Sequence, residues 1–224
     1  MPQNDEPNQL HKLFEKGRLY KIAKGNIVQS SDYRHVINLV KTGFIKRYMI
    51  ANDGTIGVQS IYGADDVFPL TLIFQTLFEQ AIYEGPEVYH YQAMSDAELY
   101  AIDKTTLLTA VQEQPVLYKD ILQEAGKRFH SNIQHLENIA LKGAYNRVAH
   151  ELVYLGRRYG ATGEQGVQID LPFSHQDLAD ILSLTRETVS TSIKELRSNG
   201  LIKNGQGRSI IIPSLAKLEE TAYN

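Results

Sequence analysis

Residues 174–202, SHQDLADILSLTRETVSTSIKELRSNGLI, constrain the fold more tightly than any other stretch of the chain. Ser174 stands three residues before Asp177, an N-cap followed by a carboxylate at the positive end of the coming helix. Leu178, Ile181 and Leu182 give that helix one apolar stripe. Ser183 and Leu184 break it, and Thr185 caps a second helix whose buried stripe is Val189, Ile193 and Leu196. Asn199 and Gly200, which tolerate the left-handed conformation, end the second helix. The following LIKNGQGRSIIIP reads as a strand, a Gly-rich turn flanked by Lys203 and Arg208, and another strand. Two capped helices, a short break and a strand-turn-strand appendage make a helix-turn-helix with a wing.

Charge is divided along the chain in a way that suits this reading. The 224 residues carry a formal charge of −3, yet residues 183–212 hold five Lys/Arg against two acids, a local +3. Residues 48–103 hold no Lys or Arg against nine acids. A cationic, polar helix face matches the major groove of double-stranded DNA. Arg186, Glu187, Ser190 and Thr191, near the helix N-terminus, are expected to read base edges. Arginine grips guanine O6 and N7 in bidentate fashion, and glutamate accepts from cytosine N4. Ser174, His175, Thr185, Thr188, Lys194, Arg197, Lys203 and Arg208 are expected along the phosphate backbone. The alternative is a packed helix pair with a solvated charged face, an interaction module that binds no DNA. Salt separates the two, because a protein that neutralises phosphates loses affinity steeply as salt is added.

Upstream, from about Leu19 to Ile102, short alternating segments (LYKIA, NIVQ, VINLVKTGFIKRYMI, TIGVQSIY, VYHYQA, AELYAID) are separated by Gly, Asn and Asp. They predict six or more strands and therefore a sandwich or small barrel, since only stacking or closure hides that many edges. Asn52-Asp53-Gly54 is the clearest hairpin turn. LTLIFQTLFEQ, residues 70–80, interrupts the strands with a short helical candidate, and the first nine residues are polar and expected to fray. From Pro115 the pattern changes. Tyr118, Leu122, Ala125, Phe129, Asn132, Leu136 and Ile139 step by 4, 3, 4, 3, 4, 3, a heptad seam on a helix of roughly 25 residues, about 38 Å long. We expect a parallel dimer, with Asn132 fixing register; the alternative is one helix face packed on its own domain. Gly143 marks a hinge. AYNRVAHELVYLGRRY, residues 144–159, is a further helix with Val148, Leu152 and Leu155 on one face, GATGEQG a loop and VQIDL a strand.

FSHQDLADILSLTRETVSTSIKELRSNGLI resembles the DNA-binding domain of the Crp/Fnr transcription regulators, and the similarity extends weakly through the heptad helix into the strand-rich part. The resemblance implies an α+β chain in three parts: a jelly-roll β-barrel of the cyclic-nucleotide-binding type at 1–112, a dimerisation helix at 113–142, and a winged helix-turn-helix at 143–224. It implies a homodimer that reads a palindromic operator, with RNA polymerase as a further candidate partner. Arg186 and Glu187 match the family's base-reading pair. Thr191 replaces an arginine that cyclic-AMP-responsive members carry four residues after that glutamate, so the half-site should differ at one step.

The family's phosphate cassette, a Gly-Glu pair followed by an arginine, has a poor counterpart here. Gly63 is followed by Asp65 and Asp66, with no cation between Tyr48 and Asp103. A buried phosphate there would face carboxylates without compensation, so no cyclic-nucleotide response is expected. Tyr62, Phe68, Phe74, Phe78, Tyr83, Tyr89 and Tyr91 suggest instead a pocket filled by side chains, or one for a small neutral or apolar ligand. No cofactor or metal is expected. The chain has no cysteine, which removes thiolate-held clusters. His11, His35 and His90 sit in no haem-binding motif, and His130 and His135, five apart, fall on different helix faces. No nucleophile elbow, triad context or phosphate-cradling loop points to an enzyme. With no basic leader and no apolar run of membrane-spanning length, the expectation is a cytoplasmic chain without a membrane partner.

Overall fold

The computed structural model describes residues 8–30, 35–50, 52–54, 56–78, 89–170, 174–207 and 209–223. The chain divides into two compact units, one of residues 1–53 with 59–130 and one of 54–58 with 131–224.

Among the described residues, helix α1 (Gln9–Glu15) leads into eight strands of the first unit, β5 alone beginning in residues 56–58 of the second: β1 (Arg18–Ile22), β2 (Ile27–Ser30), β3 (Val36–Thr42), β4 (Ile45–Ile50), β5 (Ile56–Tyr62), β6 (Val67–Phe68), β7 (His90–Ala93) and β8 (Ala97–Asp103). They form two four-stranded sheets, ordered β1-β8-β3-β6 and β2-β7-β4-β5. That order is a double-sheet jelly roll. The long pairings are antiparallel, with Arg18 opposite Ala101 and Ile22 opposite Ala97, and Ile37 opposite Ile102. Alternation along the strands sends one set of side chains between the sheets, where Val40, Ile45, Tyr62, Phe68, Tyr91, Ala97 and Leu99 form one core. The other set packs outside the first sheet, where Leu10, Phe14, Ile37, Leu39, Ile73, Ile102, Leu107, Leu117 and Ile121 join helices to strands. Gly43 turns β3 into β4 at φ +86°, and a Cβ there would lie 2.5 Å from the Asp96 carbonyl oxygen, so a side chain is excluded twice over.

Helix α2 (Leu70–Phe78) is the short helix expected at 70–80. Helix α3 (Lys104–Glu113), which the sequence reading passed over, is capped by Asp103, whose side chain accepts from the Thr106 amide. Helix α4 (Leu117–Ala140) begins two residues after Pro115, with that proline in the preceding turn rather than at the first helical position. Its residues 117–130 belong to the first unit and 131–140 to the second.

In the second unit, α5 (Ala144–Tyr159) buries Val148, Leu152 and Leu155 completely, as its periodicity predicts. GATGEQG, read as a loop, is largely a hairpin: β9 (Ala161–Gly163) pairs with β10 (Gly166–Ile169), Gly163 opposite Gly166. Three glycines in seven residues mask strand propensity, and pairing supplies it. Then come α6 (His175–Leu182), α7 (Arg186–Ser198), β11 (Lys203–Asn204), β12 (Ile210–Ile212) and α8 (Leu215–Tyr223). The sheet order is β11-β12-β10-β9. Helix α8, absent from the sequence reading, docks Leu218 and Ala222 at zero exposure and is tied to α5 by a bidentate Arg157–Glu219 pair at 2.7 and 2.7 Å.

Candidate nucleic-acid interface

The interface is built from local caps. Ser174 and Asp177 form a full capping box, the hydroxyl accepting from the Asp177 amide at 3.2 Å and the Asp177 carboxylate accepting from the Ser174 amide at 2.8 Å. Asp177 is thus more than a favourable charge at the helix start. Ser183 sits in the left-handed region at φ 50° and ends α6, and the Leu184 amide closes back on the Ala179 carbonyl at 2.9 Å. Thr185 then caps α7 by accepting from the Thr188 amide at 3.2 Å, with the two hydroxyls 2.8 Å apart. This short left-handed break lets two helices with buried faces pack as a pair.

On α7, Val189, Ser192, Ile193 and Leu196 are buried. At about 100° per residue they cover an arc of roughly 100°. Arg186, Glu187, Ser190, Thr191, Lys194 and Arg197 fall together on an arc of roughly 140° on the other side, and all but the half-buried Ser190 are exposed. The structure therefore brings the four expected base readers and two of the expected phosphate contacts onto one face. Ser190 is not independent of its neighbours, since its hydroxyl lies 2.8 Å from Nδ1 of His175 at the start of α6. Burial pushes the His175 imidazole pKa down, and the Arg197 and Arg186 cations push it further. The hydroxyls of Ser174, Thr185 and Thr188 are engaged in the caps.

Lys203 is exposed on β11, and the wing turn closes through Gly205, whose amide donates to the Ser209 carbonyl at 2.9 Å. A Cβ on Gly205 would meet Ser209 Oγ at 2.0 Å, so a side chain there would turn that hydroxyl out of its hydrogen bond to the Gln206 carbonyl. Arg208 lies outside the described residues.

The heptad positions of α4 are mostly on its outside. Leu122, Phe129, Leu136 and Ile139 are 66%, 68%, 65% and 56% exposed, and Tyr118 is 45% exposed. Asn132 is exposed among them and Ala125 half-buried. The inward face carries instead Leu117, Ile121, Glu124, Ser131 and Asn138, all buried.

Inside the barrel, Tyr62, Phe68 and Tyr91 form an aromatic cluster with ring centroids 4.9 to 5.9 Å apart. Burial pushes the Tyr91 phenol far above its ordinary range. The acidic segment 48–103 supplies no cation to it, but the fold does. Arg47 on β4 stacks 3.8 Å over the Tyr89 ring, and Arg128 on α4 lies 4.1 Å over the Tyr62 ring. Both charges act on the Tyr91 phenol, and the Nε atom of each arginine is buried without a hydrogen-bond partner among the described residues. Tyr83 lies outside the described residues. Among the described residues, no helix is long and apolar enough to cross a membrane.

Comparison with known proteins agrees with this geometry. Residues 146–221 match the family described as Crp-like helix-turn-helix domain. The CRP-like cAMP-activated global transcriptional regulator of Mycobacterium tuberculosis is 21% identical over 184 residues, 82% of this chain and 78% of that protein. The cyclic AMP receptor protein of Thermus thermophilus is 24% identical over 206 residues, 92% of this chain and 88% of that one. Among solved structures, FixK2 from Bradyrhizobium japonicum superposes with a TM-score of 0.75 at 21% identity, covering 91% of this chain and 96% of its own.

Proposed function

We propose that this chain, which belongs to the Crp/Fnr family of transcription regulators, binds a palindromic operator as a homodimer and works by binding rather than catalysis. The observation that carries this reading is the arc of α7, cationic and polar toward solvent and apolar toward the domain core. Arg186, Glu187, Ser190 and Thr191 read base edges. Ser174, His175, Thr185, Thr188, Lys194, Arg197, Lys203 and Arg208 lie along the phosphates, the capped helix starts of α6 and α7 offering backbone amides as well.

The second copy docks on α4 through Tyr118, Leu122, Ala125, Phe129, Asn132, Leu136 and Ile139. Seven positions in heptad spacing, five of them large apolar side chains left in solvent, favour another identical helix over any unlike partner. The functional division is then a sensor barrel at 1–112, a dimer helix at 113–142 and a DNA-binding part at 143–224, in a cytoplasmic protein that engages RNA polymerase. Selection of duplexes from a random pool by the purified, ligand-free protein tests this. A palindrome with half-sites about 34 Å apart is expected; no enrichment, with affinity that ignores salt, would mean an interaction module instead.

The barrel is read as unresponsive to cyclic nucleotides, because Tyr62, Phe68 and Tyr91, each 5% exposed or less, pack against one another in the core between the sheets. Calorimetry with cyclic AMP and cyclic GMP checks this, micromolar affinity for either being the adverse result. A second reading has its own observation, the buried Nε atoms of Arg47 and Arg128, which have no hydrogen-bond partner among the described residues. Two cations over tyrosine rings make an anionic effector the better match than the neutral or apolar ligand expected from sequence. Thermal shift with succinate and benzoate separates the readings. Stabilisation that is lost in Arg128→Gln supports the anionic effector, and no stabilisation supports a ligand-independent regulator.

A further inference from the structure

We infer that Asn138 and Arg147 are positioning residues that lock the DNA-binding helices onto the last turns of α4, and that the lock holds only while His150 is neutral. The inference rests on the reading of α7 as the DNA-contacting helix. Asn138 is 1% exposed, on the inward face of α4. A buried amide is costly unless its donors and acceptor are all used, and these are. Its Nδ2 donates to the Arg147 carbonyl at 2.8 Å and meets Nδ1 of His150 at 3.3 Å, while its Oδ1 accepts from Arg147 Nε at 3.4 Å. Arg147 in turn donates through Nη2 to the Leu182 carbonyl. Leu182 is the last residue of α6, so this carbonyl is one of the orphan acceptors at a helix C-terminus, where a cation is also favoured by the helix dipole. Two side chains thereby join three helices, α4, α5 and α6, at the break from which α7 departs.

His150 makes this lock conditional. It is 4% exposed, and an Asn N–H can point at its Nδ1 only if that nitrogen carries no proton. The proton of the neutral ring is then on Nε2, 3.9 Å from the Glu137 carboxylate. A second proton, on Nδ1, sets donor against donor and expels the Asn138 amide from its seat. Burial pushes the imidazole pKa down from 6.5, Glu137 on α4 and Glu219 on α8 oppose that, and Arg157 on α5 reinforces it. The Tyr223 ring stands edge-on at 5.8 Å, and Arg147 reaches the site through Asn138. Since the folded-state pKa lies below the unfolded value, the stabilising contribution is complete above pH 6.5 and is lost as pH falls toward the folded pKa. A satisfied buried polar network of this kind fixes one geometry in preference to its neighbours.

The test uses the full chain. Operators selected from a random pool at pH 7.5 should have one half-site spacing, and Asn138→Asp, which keeps the shape and removes the donors, should broaden the spacing while leaving the half-site bases unchanged. Affinity for the two-half-site operator should fall about tenfold, the loss expected for a buried hydrogen bond, with binding to a single half-site unaltered. Wild type should show the same broadening once the pH is lowered past the point where nitrogen NMR finds the His150 ring doubly protonated, and His150→Gln, which keeps an acceptor and cannot titrate, should not. An unchanged spacing in Asn138→Asp, or equal losses on one and two half-sites, overturns the inference. If wild type selects no operator, the function reading has failed, and the lock is judged separately by nitrogen NMR of the His150 ring: Nδ1 unprotonated at neutral pH supports it, Nδ1 protonated overturns it.

Discussion

Truncation of Phe129 is the most direct perturbation of the proposed dimer. The side chain is 68% exposed on α4. Complete burial of such a residue stabilises by about 1.5–3 kcal/mol, so covering the exposed two-thirds is worth about 1–2 kcal/mol. A twofold interface uses every residue twice, which makes the cost of Phe129→Ala about 2–4 kcal/mol per dimer. That is a rise of about 30- to 700-fold in the dimer dissociation constant. Sedimentation equilibrium over a wide concentration range reads the constant directly. Gln123→Ala is the control, because Gln123 is exposed one residue on from Leu122, about 100° round the helix. The control should leave association unchanged. An unchanged constant for Phe129→Ala, or the same loss for Gln123→Ala, would refute a seam on this face and return α4 to the role of a cover for its own domain.

Much of the DNA-binding part could be read along the chain because its determinants are local. Caps at Ser174 and Thr185, apolar stripes three and four residues apart, and Asn199-Gly200 at a helix end each act within one or two helical turns. What escaped was set by distant partners. Strand β6 is two residues long and exists because Val67 and Phe68 pair with Leu39 and Asn38 on β3. Helix α8 has a weak amphipathic signal, Leu218 and Ala222 at i and i+4, and gains its order by packing on α5. The cations of the barrel were missed for the same reason. Charge counted over 48–103 finds none, but Arg47 arrives from the neighbouring end of β4 and Arg128 from α4, more than sixty residues beyond the Tyr62 ring it covers. Asn138 and His150 look like ordinary polar helix residues, and only the turn at Gly143, with φ 87°, folds α5 back so that they meet.

The remaining predictions concern α7, the caps and a buried acid. Arg186→Ala should cost roughly 1–3 kcal/mol on the selected operator and relax the preference at one base pair, whereas Lys194→Ala should weaken all sequences alike and flatten the salt dependence by about one unit of slope. Competition binding against random duplex distinguishes them, and equal losses for Arg186→Ala on both duplexes would sink the assignment. Ser174→Ala removes half of the capping box and should lower stability by about 1 kcal/mol, read as a fall in denaturation midpoint with unchanged slope. Glu151 is 5% exposed on α5, and burial pushes its carboxyl pKa up from 4.5 to about 7. A raised folded-state pKa means that the folded protein holds this proton longer than the unfolded chain. Its contribution is therefore complete below pH 4.5 and is lost as pH rises through about 7, a change of order 3 kcal/mol. Glu151→Gln, isosteric and unable to ionise, should remove that slope. In wild type the loss of stability with rising pH runs against the His150 contribution, which grows over the same range as pH approaches 6.5. The two contributions oppose one another, so Glu151→Gln should gain stability relative to wild type as pH rises, and adding His150→Gln should reduce the gain. Denaturant titrations of the three proteins at matched ionic strength check this, and a Glu151→Gln profile parallel to wild type would show that the carboxyl ionises freely in the folded state.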